Sequence, residues 1–125
     1  MERETPERHH LGIFFVYECR YNQDADTVSL IKLLYVGEAE NLRDRINSHP
    51  LYATWKSSIK DENEICFATA YVDPKKRTLA KACFIYDLKP VMNSDYKQYF
   101  PFEETSVTAV GKTRLLKTNF IVPAT

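Results

Sequence analysis

Apolar residues in the first third of the chain form two short runs separated by a polar turn. Residues 11–17 (LGIFFVY) and 28–36 (VSLIKLLYV) are both rich in β-branched or aromatic side chains. Runs of this length and composition are typical of buried strands. The link between them at 22–26 (NQDAD) is short and polar, so the pattern predicts an antiparallel pair.

A helical period replaces the strand pattern after Gly37. Leu42 and Ile46 lie four positions apart within residues 38–48 (EAENLRDRINS), with charged residues between them. Such spacing predicts an amphipathic helix. Gly37 is expected to end the second strand, and Pro50 is expected to stop the helix.

The middle of the chain predicts a short helix, a strand and a longer helix. Residues 51–59 fit a short helical face, and residues 64–72 (EICFATAYV) fit a third strand. Asp73 and Pro74 indicate a helix start, because aspartate is a favoured N-cap and proline suits the first helical position. The helix is predicted over residues 75–88.

The last third of the chain allows two interpretations. Residues 107–110 and 115–122, separated by a glycine and polar residues, predict a β-hairpin. A helix over residues 112–119 is the alternative. The element order β-β-α-(α)-β-α indicates a compact α/β fold. The expected organisation is a flexible segment at 1–10, a domain at 11–93, and a C-terminal extension at 94–125 that packs on the same domain.

Composition narrows the functional classes. The 125 residues include 17 basic and 17 acidic side chains, so the formal net charge is zero. Strong autonomous binding to a nucleic-acid duplex usually requires a basic excess, so neutrality lowers that expectation. No segment has the length or apolarity of a membrane span, and the charged N-terminus does not resemble a secretory signal. A cytoplasmic protein with no membrane partner is expected, and its three cysteines are expected to be reduced and buried.

Four sequence features occur in a fixed order along the predicted elements. Residues 12–14 (GIF) lie in the first strand, residues 35–37 (YVG) end the second apolar run, Arg45 follows ten positions after the tyrosine, and residues 89–93 (KPVMN) close the long predicted helix. This order resembles the GIY-YIG nuclease superfamily, with residues 12–14 matching its first triplet and residues 35–37 its second. The resemblance covers residues 11–93 and implies a small, mainly antiparallel three-stranded sheet flanked by helices. It also implies cleavage of phosphodiester bonds with one divalent metal.

The resemblance implies a role for each matching side chain. Tyr35 would lie near the attacking water, and Arg45 would hold the scissile phosphate, which a planar guanidinium grips bidentately; these are the candidate catalytic residues. His49 and Asn93 are further candidates for the substrate-binding site, Asn93 as a brace for the active-site loop. Taken alone, Tyr35 could equally cap a strand, His49 could end a helix, and Asn93 could be an ordinary turn residue.

Two positions depart from the family pattern. Lys81 stands where the family has its metal-binding glutamate, and a protonated ammonium has no lone pair with which to bind Mg²⁺. Phe14 stands where the first triplet has its tyrosine, so a hydroxyl is missing near the implied metal site. No metal or other cofactor is therefore expected. Glu38 is a speculative substitute ligand.

Three functional hypotheses follow. In the first, the domain has lost or weakened cleavage and binds DNA or RNA phosphate through Arg45 and Lys81, with His49 and Asn93 nearby. In the second, it is an active nuclease that uses Mg²⁺ or Mn²⁺ held by Glu38, or one in which Lys81 acts directly on the phosphate. In the third, it is a protein-interaction module on a nuclease scaffold. A protein partner that supplies targeting is compatible with each of them.

Overall fold

The computed structural model describes residues 12–39, 49–108 and 119–124. The chain adopts an α/β architecture in which a three-stranded antiparallel sheet lies between two helices. The elements in chain order are β1 (Gly12–Asn22), β2 (Thr27–Ala39), α1 (Tyr52–Ser57), β3 (Glu64–Ala70), α2 (Arg77–Leu88), β4 (Thr105–Thr108) and β5 (Asn119–Val122).

Strand β1 is the centre of the sheet, whose order is β2-β1-β3. Phe15, for example, lies opposite Val36 on one side and Ala68 on the other. Because helices cover both faces, both sets of alternating side chains in β1 are buried, and residues 12–19 are buried without interruption. Glu18 is the charged exception, and its carboxylate accepts a hydrogen bond from Asn63. The continuous apolar run that predicted this strand is therefore the signature of two-sided burial.

Each face of the sheet packs against one helix. On the first face, Phe15 meets Phe84 of α2 edge to face, with ring centroids 5.2 Å apart. On the second face, Phe14 and Val16 pack in one cluster with Trp55 of α1. Successive side chains of β1 therefore point to opposite faces of the sheet and pack into two different cores.

The predicted start of the long helix is confirmed. The Asp73 side chain accepts a hydrogen bond from the backbone N–H of Lys75 at 3.0 Å, and Pro74 begins a single 3₁₀ turn that leads into α2. The helix ends at Leu88, because Lys89 adopts a left-handed conformation with φ 51°.

Strand β2 continues past the glycine that was predicted to end it. Glu38 and Ala39 remain in the strand, opposite Ile13 and Gly12. The prediction of a helix from residue 38 is therefore wrong for residues 38 and 39, and residues 40–48 lie outside the described residues. Gly37 has an extended conformation in the strand, and its lack of a side chain makes room for the ring of Phe14.

Two of the three cysteines are paired, contrary to the expectation that all are reduced. Cys19 of β1 and Cys66 of β3 form a disulfide between neighbouring strands, with Cα atoms 6.2 Å apart. Their antiparallel register places them diagonally across the strand pair, within the usual range for a disulfide. Cys83 is a buried free thiol as expected, and burial raises its pKa to about 11.

The C-terminal region contributes a second, two-stranded sheet. Strand β4 pairs antiparallel with β5, so that Val107 lies opposite Phe120. Phe120 and Val122 pack against residues of α2. Strand β4 begins at Thr105, two positions before the predicted 107–110. Residues 109–118, which carry the predicted turn and most of the alternative helix, lie outside the described residues. Neither described helix has the length and apolarity needed to cross a membrane.

Candidate functional site

The side chain of Asn93 holds the outer edge of β2. The backbone N–H of Val36 donates to Asn93 Oδ1 at 2.9 Å, and Asn93 Nδ2 donates to the Val36 carbonyl at 3.0 Å. One residue earlier, the Met92 N–H donates to the Leu34 carbonyl at 2.8 Å. The turn after α2 thus contacts β2 through one backbone hydrogen bond and two bonds of the Asn93 side chain. It satisfies backbone groups that an edge strand would otherwise leave unpaired.

Tyr35 belongs to an aromatic cluster on the α1 side of the sheet. Its ring centroid lies 5.3 Å from that of Trp55, 5.4 Å from that of His49 and 6.1 Å from that of Phe14. Trp55 is fully buried, and no described residue accepts a hydrogen bond from its indole N–H. The position predicted to carry the catalytic tyrosine therefore packs in an aromatic environment.

His49 lies inside the same cluster. Its ring centroid is 4.6 Å from that of Trp55, and only 5% of the residue is exposed. Its Nδ1 accepts a hydrogen bond from the backbone N–H of Leu51 at 3.0 Å, so a neutral ring carries its proton on Nε2. This contact organises the entry to α1. A direct contact between His49 and a phosphate group stays a prediction. The burial of the ring leaves little of it accessible to a phosphate.

Phe14 and Gly37 fit each other closely. A Cβ atom built on Gly37 would lie 2.4 Å from Phe14 Cζ, which is closer than side-chain atoms approach. The two residues are also opposite each other in the sheet. Phe14 is fully buried. Its Cζ atom, which would carry the hydroxyl in a tyrosine, lies against the backbone of Gly37.

A polar cluster lies on the α2 side of the sheet. Lys81 Nζ is 3.8 Å from Glu38 Oε1, and the Thr78 hydroxyl donates to Glu38 Oε2 at 3.0 Å. The Lys81 ammonium also lies 5.8 Å from the centre of the Tyr96 ring. The lysine and glutamate side chains are 22% and 29% exposed. The position that departs most from the family pattern is thus occupied by a partly exposed ion pair.

The predicted site residues fall into separate groups. Tyr35 projects toward α1, whereas Glu38 projects toward α2, as alternation along the extended strand requires. Asn93 contacts the backbone of Val36 between them. Arg45 lies outside the described residues, so the prediction that these side chains line one cleft with Lys81 stays a prediction.

The side chains around Glu38 do not suit a resident divalent cation. One carboxylate oxygen faces an ammonium, and the other accepts a hydroxyl proton. Mg²⁺ prefers several oxygen ligands and excludes a neighbouring cation by charge repulsion. The described residues contain no cluster of three or more histidine, cysteine, aspartate or glutamate side chains.

Sequence reasoning missed two members of this region. Thr78 precedes Lys81 by one helical turn, so it shares its face, and that spacing alone could have identified it. Tyr96 follows α2 in an irregular segment and adopts φ 65°, and no sequence pattern places it beside Lys81.

Comparison of the chain with protein-family models, curated proteins and solved structures finds no match.

Proposed function

We propose that this chain is a GIY-YIG endonuclease-like domain with lost or weakened cleavage that binds nucleic-acid phosphate through Arg45 and Lys81. The observation that carries the proposal is the contact between Lys81 and Glu38. A cationic group occupies the place where the resemblance implies a metal-binding carboxylate. Such a group can attract a phosphate oxygen, but it cannot activate water as a metal does.

The arrangement of elements supports this assignment. A three-stranded antiparallel sheet flanked by helices is what the resemblance implies, and the Asn93 side chain braces β2 after the second helix. In this proposal, β4 and β5 are the two strands of a hairpin in the C-terminal extension. The role of Arg45 rests on the resemblance, since that residue lies outside the described residues. A cytoplasmic location belongs to the same proposal.

The ion pair also separates the proposal from the active-nuclease alternative. Glu38 could bind a metal only after releasing Lys81 and leaving a cation beside the bound ion. At a distance of a few ångströms, two such charges repel by several kcal/mol even at an effective dielectric constant near 20. We therefore favour binding without efficient cleavage.

Binding and cleavage by the purified chain test the proposal. Labelled single- and double-stranded DNA and RNA are titrated at several salt concentrations, and the same substrates are incubated with Mg²⁺ or Mn²⁺. We expect binding that weakens steeply with salt, and little or no cleavage. Replacing Lys81 by alanine should lower the slope of log affinity against log salt by about 0.7–0.9, the value for one phosphate contact. Lys56→Ala, an exposed lysine of α1, is the matched control.

Two results would overturn the proposal. Affinity that does not change between low and moderate salt would exclude phosphate-driven recognition. Robust metal-dependent cleavage that Arg45→Ala abolishes would establish an active nuclease, and Glu38→Gln would then test the substitute ligand.

A further inference from the structure

Among the described residues, the outer edge of β2 has neighbours along one part of its length only. Met92 and Asn93 pair with Leu34 and Val36. Upstream, over residues 28–33, the described residues place no strand beside β2 other than β1. The backbone bond from Met92 to Leu34 shows that the carbonyl groups of this edge are accessible to a neighbouring chain. The covering segment ends where the open part of the edge begins.

A groove of about 320 Å³ opens beside the uncovered part of the edge. It is lined by residues of β2 and of the end of α2: Ile31, Lys32, Leu33, Leu88, Lys89 and Val91. Ile31 and Val91 form apolar rims that are 43% and 56% exposed. Ile31 has no partner in β1, because the register skips it between Leu30 and Lys32. A bulge of this kind turns a side chain away from its regular direction.

The charges at the groove favour an acidic occupant. Lys32 and Lys89 are both exposed and both line it. The Lys89 ammonium donates to the backbone carbonyls of Tyr86 and Lys97, which fixes its position. A second copy of the chain is a poorer fit, because pairing about a two-fold axis at this edge would bring two Lys32 side chains together.

We propose that this groove and the open edge of β2 bind an extended peptide of a partner protein, in which apolar residues alternate with acidic ones. Its backbone would continue the pairing that Met92 begins at Leu34. Alternate side chains of an extended peptide point in opposite directions. Its apolar side chains would fill the space between Ile31 and Val91, and its carboxylates would face Lys32 and Lys89. Strand addition of this kind combines backbone hydrogen bonds with side-chain selection.

Titration of the ¹⁵N-labelled full chain with synthetic peptides tests the inference. The probe is a short peptide of alternating valine and aspartate. One control has lysine in place of aspartate, and another has prolines that remove alternate backbone N–H groups. We expect the acidic peptide to shift the amide signals of residues 28–33 and 88–91, with an affinity about tenfold above that of either control.

Matched variants localise the effect. Val91→Ser should weaken binding of the acidic peptide at least about tenfold, whereas Ile121→Ser, an equally exposed apolar residue on β5, should leave it unchanged. Absence of shifts at the groove, equal binding of the lysine peptide, or self-association that depends on Val91 would each overturn the inference. None of these outcomes depends on nucleic-acid binding, so failure here is distinguishable from failure of the proposed function.

Discussion

The two sides of the C-terminal half of β2 differ in what holds them together. On the α1 side, Tyr35 and Gly37 contact a buried aromatic cluster that includes Phe14 and Trp55. On the α2 side, Val36 belongs to a buried apolar cluster with residues of α2, and at Glu38, near the end of the strand, the contact is a partly exposed ion pair. Buried aromatic packing fixes the strand by shape, and its cost of disruption is large. A partly exposed ion pair contributes little to stability, so the charge of the site can change with little effect on the fold.

The largest expected effect comes from changing the charged side by Lys81→Glu. The new carboxylate would face Glu38, and two neighbouring carboxylates repel each other unless a cation lies between them. We therefore expect Mn²⁺ to raise the melting temperature of the variant. Cleavage, if restored, should exceed that of the wild type by about a thousandfold, or about 4 kcal/mol of transition-state stabilisation.

Lys81→Gln is the control for that variant, since it removes the ammonium without adding a carboxylate. Mn²⁺ should leave its melting temperature unchanged. A variant with glutamate at position 81 that shows no response to Mn²⁺ would mean that Glu38 and position 81 do not form a common site.

Asn93→Ala should destabilise the packing on both faces of β2, because Asn93 hydrogen-bonds to the backbone of that strand. The variant leaves the Val36 N–H and carbonyl without their partner. We expect a loss of about 2–4 kcal/mol in the free energy of unfolding, measured by denaturant titration. Asn22→Ala, which removes exposed side-chain hydrogen bonds at the other end of the hairpin, should cost less than about 1 kcal/mol. Equal losses would contradict a special role for Asn93.

Gly37→Ala tests the aromatic side alone. The added methyl group would overlap the Phe14 ring, so the sheet must shift or the ring must turn. Overpacking of this kind typically costs about 1–3 kcal/mol. The fluorescence of Trp55, the single tryptophan, should report the disturbance directly. If Gly37→Ala lowers stability no more than a surface substitution, the close fit of Phe14 and Gly37 is not a constraint.

Glu38→Gln should have the smallest effect on stability, within about 1 kcal/mol, because the pair is partly exposed. Binding should respond in the opposite direction. Removing the carboxylate leaves the Lys81 charge uncompensated, so affinity for nucleic acid should rise, as measured by anisotropy at fixed low salt. Lower affinity would indicate that Glu38, not Lys81, supports binding.

Local chemistry made part of the fold predictable. The start of α2 follows from Asp73 and Pro74, whose roles at a helix N-terminus need no tertiary contact. The predicted end of β2 at Gly37 is wrong, because glycine does not break the strand here. The role of Gly37 depends on Phe14, which is distant in sequence and lies opposite Gly37 only because of the strand register.

Part of the candidate site was also readable from the sequence. The sequence shows a lysine at position 81, where the resemblance implies a carboxylate. It does not show that Lys81 pairs with Glu38, because that contact depends on how α2 packs against β2. The Cys19–Cys66 pair likewise needed the β1–β3 register, because an odd number of cysteines does not reveal pairing. The aromatic surroundings of Tyr35 come from β1 and from residues 49–55, and sequence spacing does not relate either segment to Tyr35.

The proposed replacement of a metal site by an ion pair is tested most directly with a wild-type crystal soaked in Mn²⁺ and examined for anomalous scattering around Glu38. We expect no manganese there and an intact contact between Lys81 and Glu38. A manganese ion bound to the Glu38 carboxylate, with Lys81 displaced, would contradict the claim that an ion pair has replaced a metal site.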